Sequence, residues 1–502
     1  MYVSLGDDIS PPTGEKVWRL SRGLQKSPPP WLIDWIPSYN KLLLEFDDEA
    51  VSCRAVANYL NGINMRGGEL PPARAVVVPV KYDGLDLPEI SARTGLSIEE
   101  VVRLHSEPTY RVYAVGFTPG FPFMAEVPRK LRLPRRKSPR LKIPALSVAM
   151  AGVQTGIYPQ ATPGGWHLLG RSLKRVYDPF RPEPFLLQAG DSVRFVAAEG
   201  EVPAPPQRVE LLAKEGEQLF EVLEPGLLTI PVDEGRFGLG RYGLARSGPL
   251  DRYSFTVANR LLGNDGGAVA LEVNLLGPEL RVLRDTALAV AGYGPTISGG
   301  NEARVYHLTA GETLRFKGVG DGARTYITIP GGFAFARFMG SSSPDLTGGI
   351  GRQLREGDIL RSAKNVGKLL QREWRMPPLR RINGRVRLRI YPGPQASEEA
   401  IAALTENVFT VGNADRMGLR LQGGKVPGGE ITSEGIPIGA VQVPSAGDPI
   451  LLLSDRGTIG GYRKPAVLHP ADLWRAGQLK SGDEIEFVLS GEGKSPMCFY
   501  EL

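Results

Sequence analysis

Apolar residues along this chain come in short runs cut by glycine and proline, and only a few stretches carry a helical spacing. Lys41–Phe46 (KLLLEF) and Ala75–Val80 (AVVVPV) read as strands, with a helical pattern between them over Val51–Leu60. A second helix is signalled by the capping box Ser97-Ile98-Glu99-Glu100; it carries Val101, Val102 and Leu104 and ends near His105. From Tyr110 to about Ala198 the pattern turns to short β segments. A further helix follows the N-cap candidate Asp251, runs through Tyr253, Val257, Leu261 and Leu262, and stops at Gly263-Asn264. One more follows Ser397. A glycine–acid–x–apolar start recurs at Gly190-Asp191, Gly311-Glu312, Gly357-Asp358 and Gly482-Asp483, which predicts a repeated sheet module.

These patterns divide the chain. Residues 1–30 are polar, end in Ser27-Pro28-Pro29-Pro30, and read as an extended lead-in. Residues 31–108 form a small α/β domain and 109–198 a β domain. Residues 199–218 are a linker (EGEVPAPPQ at its start), 219–362 a second β region, 363–384 a basic connector, 385–490 a last β domain, and 491–502 a tail. The fold class is mainly β with α+β elements.

Composition narrows this picture. Gly 62 and Pro 43 in 502 residues are scattered between apolar runs, which favours a turn-rich β protein over a disordered one. Lys and Arg number 60 against 54 Asp and Glu, a net charge of +6, too balanced to argue nucleic-acid binding. Cys53 and Cys498 stand far apart with no metal-ligand spacing, and neither a disulfide framework nor a metal site is expected. No apolar stretch approaches the ~20 residues of a membrane span, and the N-terminus lacks a signal-peptide layout. The expectation is a cytoplasmic protein acting on a small molecule, without membrane or nucleic-acid partners; a homo-oligomer is left open.

The candidate chemistry starts with a turn used twice. Thr162-Pro163-Gly164-Gly165-Trp166 and Thr458-Ile459-Gly460-Gly461-Tyr462 each lie downstream of a β stretch bearing a glutamine, Gln154 and Gln442. Paired glycines let backbone approach a ligand while a ring closes over it; the alternative is a barrel corner with a packed aromatic. Pro119-Gly120-Phe121, inside GFTPGFPF, is either a core turn or a substrate wall. Arg135, Arg136, Lys137 and Arg140, threaded by prolines, are either fixed donors for carboxylate or phosphate or a solvated basic surface. Asp455-Arg456 hold a polar ligand or each other. His167 is a candidate base or simply a packed ring. Gly491-Glu492-Gly493-Lys494-Ser495 lacks the leading glycine of a phosphate-binding loop, since position 488 is Val.

Residues from about Trp35 to Ala198 resemble the B subunit of 5-oxoprolinase, formerly allophanate hydrolase subunit 1, on GFTPGFPF (116–123), the PRRKSPR run (134–140) and AGVQTGIYPQATPGGW (151–166). Residues from about Val222 to Phe487 resemble the C subunit, on GLARSGPLD (243–251), ANRLLGN (258–264), DRMGLRL (415–421), GAVQVP (439–444) and Asp455 to Tyr462. The chain thus resembles a fusion of the two. The resemblance implies cyclophilin-like β-barrels related to the carboxyltransferase domain of urea carboxylase, and a cleft where the two parts meet. It implies ATP-dependent activation of the 5-oxoproline lactam, with Mg2+ as the counterion of ATP, and ring opening to glutamate by a separate A subunit of the lactam-hydrolase type. On these motifs the candidate catalytic residues are Arg135, Arg140, Gln154, Tyr158, Arg416, Gln442, Asp455 and Arg456. The candidate substrate-binding residues are Pro119, Gly120, Phe121, Gly164, Gly165, Trp166, Gly460, Gly461 and Tyr462. The chain departs from the family pattern at Gly340-Ser341-Ser342-Ser343-Pro344 (usually Gly-Ser-Arg-Ser-Thr), Pro231-Val232-Asp233 (Val-Gln-Asp) and Asp455–Ile459 (Asp-Arg-Gln-Thr-Thr). Two rival readings remain: a biotin-dependent carboxyltransferase acting on a urea-like small amide, with no biotin attached to this chain, and a regulatory protein that inhibits a histidine kinase.

Overall fold

The computed structural model describes residues 1–63, 73–136, 138, 140–318, 320–363, 381–382, 384–491 and 498–501. The expected connector over 363–384, the Gly491–Ser495 run and Lys137 lie wholly or mostly outside these residues.

The first thirty residues are not an extended lead-in. Tyr2–Ser4 is a strand, antiparallel to Lys41–Phe46, and Pro11–Lys26 is a helix whose N-cap Ser10 accepts from the Thr13 amide. Pro11 and Pro12, which read as spacers, occupy the first turn, where a missing N–H costs nothing. The helix buries Val17, Leu20 and Leu24 against Leu42 and Leu44. The tail is corrected as well. Phe499–Glu501 is a strand running parallel to Tyr2–Ser4, and Cys498 is disulfide-bonded to Cys53. The two cysteines meet because the chain ends come together in one sheet, a pairing that spans 445 residues and leaves no local trace.

A closed seven-stranded barrel follows. It begins with Ala75–Lys81, which pairs in parallel with Ser192–Ala197, so the barrel starts well before residue 109 and the expected boundary near 108 is wrong. The helices Leu87–Thr94 and Ile98–Ser106 pack on this barrel rather than on the N-terminal sheet, and the Ser97–Glu100 capping box forms. His105 lies wholly inside, its Nδ1 paired with the Tyr82 hydroxyl and Nε2 with Thr155 Oγ1; burial pushes its pKa down to about 3, so the ring stays neutral.

Between Glu217 and Ser362 a four-stranded and a five-stranded sheet form a single core around Phe220, Leu271, Val290 and Ile327. The helix Arg252–Leu261 is capped by Asp251, as its sequence predicts. The last unit contains a second closed seven-stranded barrel, closed by pairing of Arg385–Pro392 with both Glu484–Leu489 and Ile459–Leu468. The recurrent strand opener has a physical cause. Gly190, Gly357 and Gly482 have φ of 97°, 81° and 87°, and the carboxylates of Asp191, Asp358 and Asp483 accept from the amides of Gln188, Arg355 and Lys480, closing a turn before each strand.

Candidate active site between the two barrels

The two barrels face each other, and their contacts are built on glycine. Arg135 extends from the first barrel onto the second. Its Nη1 donates to the Gly461 carbonyl at 3.2 Å, its Nη2 to Ser433 Oγ at 3.3 Å, and its guanidinium lies 5.6 Å from the Tyr462 ring centre. Any side chain at Gly461 would collide with that guanidinium, and one at Gly116 would collide with Ile459. The Gly120 amide donates to the Tyr242 carbonyl at 2.9 Å, tying the first barrel to the middle unit.

The paired glycines do more to seat side chains than to cradle a ligand directly. A Cβ on Gly164 would lie 2.5 Å from the Tyr158 hydroxyl, and one on Gly460 would lie 3.0 Å from the Gln442 amide nitrogen. The second turn is not a loop: Gly460, Gly461 and Tyr462 lie within the strand Ile459–Leu468. Trp166 packs edge-on to Phe121 and Tyr158, with ring centres 5.5 and 6.5 Å apart, which forms one apolar wall.

These residues border a cleft of about 1020 Å³. Of the residues singled out from the sequence, Pro119, Phe121, Arg135, Tyr158, Gly164, Gly165, Trp166, Gln442, Asp455, Arg456, Gly460, Gly461 and Tyr462 line it. Four do not. Arg140 is committed to Asp86, with Nη1 and Nη2 at 2.9 and 2.5 Å from its carboxylate. Gln154 sits buried at the start of the barrel strand Gln154–Ile157. Gly120 turns its back on the cleft, against Tyr177. Arg416 lies behind the wall, binding Asp455 through Nε and Nη2 and Glu272 through Nη1. His167 is no base here: it is a fully buried strand residue whose Nε2 pairs with the Pro134 carbonyl, next to Arg135.

The wall is strongly polarised. Burial lowers the Arg456 pKa, and Glu45 of the N-terminal sheet opposes this with a contact of 3.0 Å to Nη2, while Nε donates to the Ile436 carbonyl. Burial raises Asp455, and Arg416 offsets only part of it. Burial also works against the charge of Arg416, yet Asp455 and Glu272 together hold it firmly protonated. Burial raises the Tyr158 hydroxyl, so it remains a donor. The arrangement can therefore present cations and a neutral phenol to an anionic or carbonyl oxygen.

The structure adds lining residues that motif reading passed over. Asp345 and the run Thr347-Gly348-Gly349 enter from the middle unit, with Gln160 against Gly349. Thr347-Gly348-Gly349 is another glycine pair beside a threonine, but it lacks both the intervening residue and the following aromatic of the two turns above.

Two family models match the chain, one in each half. The family model for the carboxyltransferase domain, subdomain C and D, matches residues 1–187, and that for subdomain A and B matches 242–489. The chain is similar to the B subunit of 5-oxoprolinase from Escherichia coli O157:H7, 39% identical over 197 residues, covering 38% of this chain and 89% of that protein. It is similar to the C subunit of 5-oxoprolinase from Escherichia coli K12, 32% identical over 293 residues, covering 54% and 91%. The crystal structure of TTHA0988 superimposes with a TM-score of 0.91 at 47% identity, over 97% of this chain and 99% of that one.

Proposed function

Because the chain belongs to the carboxyltransferase-domain family and carries subdomains C and D ahead of A and B, we propose that it is a 5-oxoprolinase B/C fusion. Its role in that reading is to activate the lactam of 5-oxoproline with ATP, for ring opening to glutamate with a separate A subunit. The observation that carries this is Arg135 of the B-like barrel lying across Gly461 of the C-like barrel, which makes the cleft a joint product of the two halves.

A lactam carbonyl is a poor electrophile, and ATP supplies a phosphoryl group that turns its oxygen into a leaving group. The residues present fit a polyphosphate through cations and amides rather than through a glycine-rich loop opening a helix. Arg135, Arg456 and the Gln442 amide line one side of the cleft, and Mg2+ would enter with the triphosphate as its counterion. Tyr158, held protonated by burial, donates to the lactam oxygen, while Trp166 and Phe121 cover the ring and exclude water. The test is ATP hydrolysis by the purified chain with an A-type lactam hydrolase. Hydrolysis that depends on 5-oxoproline supports the reading, and its absence refutes it.

The match to a carboxyltransferase domain favours one alternative, transfer of a carboxyl group to a small amide with biotin as the carrier. That reading requires a biotinylated protein to associate with this chain, and avidin capture that recovers no such complex removes it.

A further inference from the structure

Three carboxylates border the cleft: Asp345, Asp415 and Asp455. Asp455 accepts two bonds from Arg416, through Nε and Nη2. Asp415 lies toward solvent and spends Oδ1 on the amides of Met417 and Gly418 in a turn. Asp345 differs from both. It is buried at 3% exposure, and among the described residues no cation stands within salt-bridge distance of it. Its Oδ1 is held by the Gly348 amide at 2.6 Å, and a Cβ on Gly348 would lie 2.6 Å from Oδ2, so this glycine pair is shaped around the carboxyl group.

The surroundings of Asp345 are also incompletely bonded. Arg236, 2% exposed, donates through Nε to the Phe338 carbonyl, while its Nη1 and Nη2 have no partner among the described residues. The Tyr177 hydroxyl and Thr118 Oγ1 are also buried without a hydrogen-bond partner among the described residues. Burial and the negative charge of Asp455 raise the Asp345 pKa, and the Gly348 amide and Arg236 oppose them. A buried carboxyl group that is oriented but not neutralised can change protonation state without breaking an ion pair.

We propose that Asp345 is the proton carrier of the cleft, taking the N–H proton of a bound amide as its carbonyl oxygen is activated and later returning it to that nitrogen. This rests on the lactam reading above. In the forward step the N–H bond breaks and its electron pair moves into the C–N bond. The carbonyl pair forms the new O–P bond, the bond to ADP breaks, and the proton resides on the Asp345 carboxylate. When water adds at the carbon, the carboxyl group gives that proton back to nitrogen. Asp455 and Arg236 are the charged groups that set its ionisation, with the Tyr177 hydroxyl beside them.

The full-length chain labelled with 13C at aspartate carboxyl carbons, compared with Asp345→Asn, tests this without relying on turnover. The resonance missing from the variant is expected to titrate above the usual carboxylate range and to shift when 5-oxoproline is added. A midpoint in the ordinary range overturns the proposal. In the coupled assay Asp345→Asn is expected to lower kcat by about 100-fold or more, with KM within about threefold and Tm unchanged. Asp345→Glu is expected to restore part of the rate, with its acid limb displaced. An Asn variant within about threefold of native kcat overturns the proposal. If the native chain shows no 5-oxoproline-dependent hydrolysis, the function reading fails by itself, and the titration still decides whether Asp345 carries a proton.

Discussion

Arg135 of the first barrel rests on Gly461 of the second, its Nη1 donating to the Gly461 carbonyl at 3.2 Å, in a space that no other residue at 461 would leave open. This contact is one of several that join the halves that relatives carry as separate proteins, together with Gly120 to Tyr242 and Arg456 to Glu45.

Gly461→Ala should displace the Arg135 guanidinium and lower kcat/KM by about 10–100-fold, with Arg135→Ala giving a similar loss. The two changes should not be additive in a double-mutant cycle, since both remove the same placement. Additive losses would mean that Gly461 acts in another way. Thermal melting should move little in each case.

Arg140→Ala should behave in the opposite manner. Arg140 and Arg136 both bind Asp86, which also accepts from the Leu168 amide at 2.8 Å. Removing Arg140 leaves a buried carboxylate short of a partner and should cost about 1–3 kcal/mol of stability while sparing turnover by the folded fraction. Burial works to raise the Asp86 pKa, and the Arg140 hydrogen bond and Leu168 amide outweigh it, so the folded value lies below the unfolded one. This contribution is present above the unfolded pKa and is lost as pH falls through the folded one. Native and variant melting curves should converge in acid.

Asp34 gives the reverse sign. Its Oδ2 accepts from the Gly240 amide at 3.0 Å, joining the N-terminal sheet to the middle unit. Burial, then the charge of Glu45, raise its pKa to about 7. The folded value is above the unfolded one, so stability from this group is fully present below about pH 4 and is lost as pH rises through 7. Asp34→Asn should lack this dependence, and the Tm difference in its favour should widen between about pH 5 and 8. A constant difference would contradict the assignment.

The Cys53–Cys498 bond ties the helix Cys53–Asn61 to the chain just ahead of the strand Phe499–Glu501. Reduction should lower Tm, by a stability loss of about 2–4 kcal/mol, and Cys498→Ser should reproduce that loss and abolish the effect of reductant. Thiol titration of the unreduced chain that finds free cysteines would contradict the pairing.

Local signals in this chain are readable and long-range ones are not. The Ser97 capping box, the Asp251 cap and the glycine–aspartate strand openers are closed by bonds within a few residues, so their spacing alone specifies them. The helix Pro11–Lys26 is hidden by prolines that a first turn tolerates. The start of the first barrel is hidden because Ala75–Lys81 finds its parallel partner at Ser192–Ala197. The same limit applies to the site. Motifs assemble most of the cleft wall, but Arg140 belongs to Asp86, 54 residues upstream, and only the fold reveals it. Asp345 escapes notice because nothing beside it in sequence marks a lone carboxylate as unpaired.

The most direct test of a joint cleft is phosphate release by the native chain and by Arg135→Ala, each with an A-type partner, with and without 5-oxoproline. The account predicts release from the native chain that rises on adding 5-oxoproline, and loss of that rise in Arg135→Ala with Tm unchanged. Release that ignores 5-oxoproline, or a variant that responds as the native chain does, would contradict it.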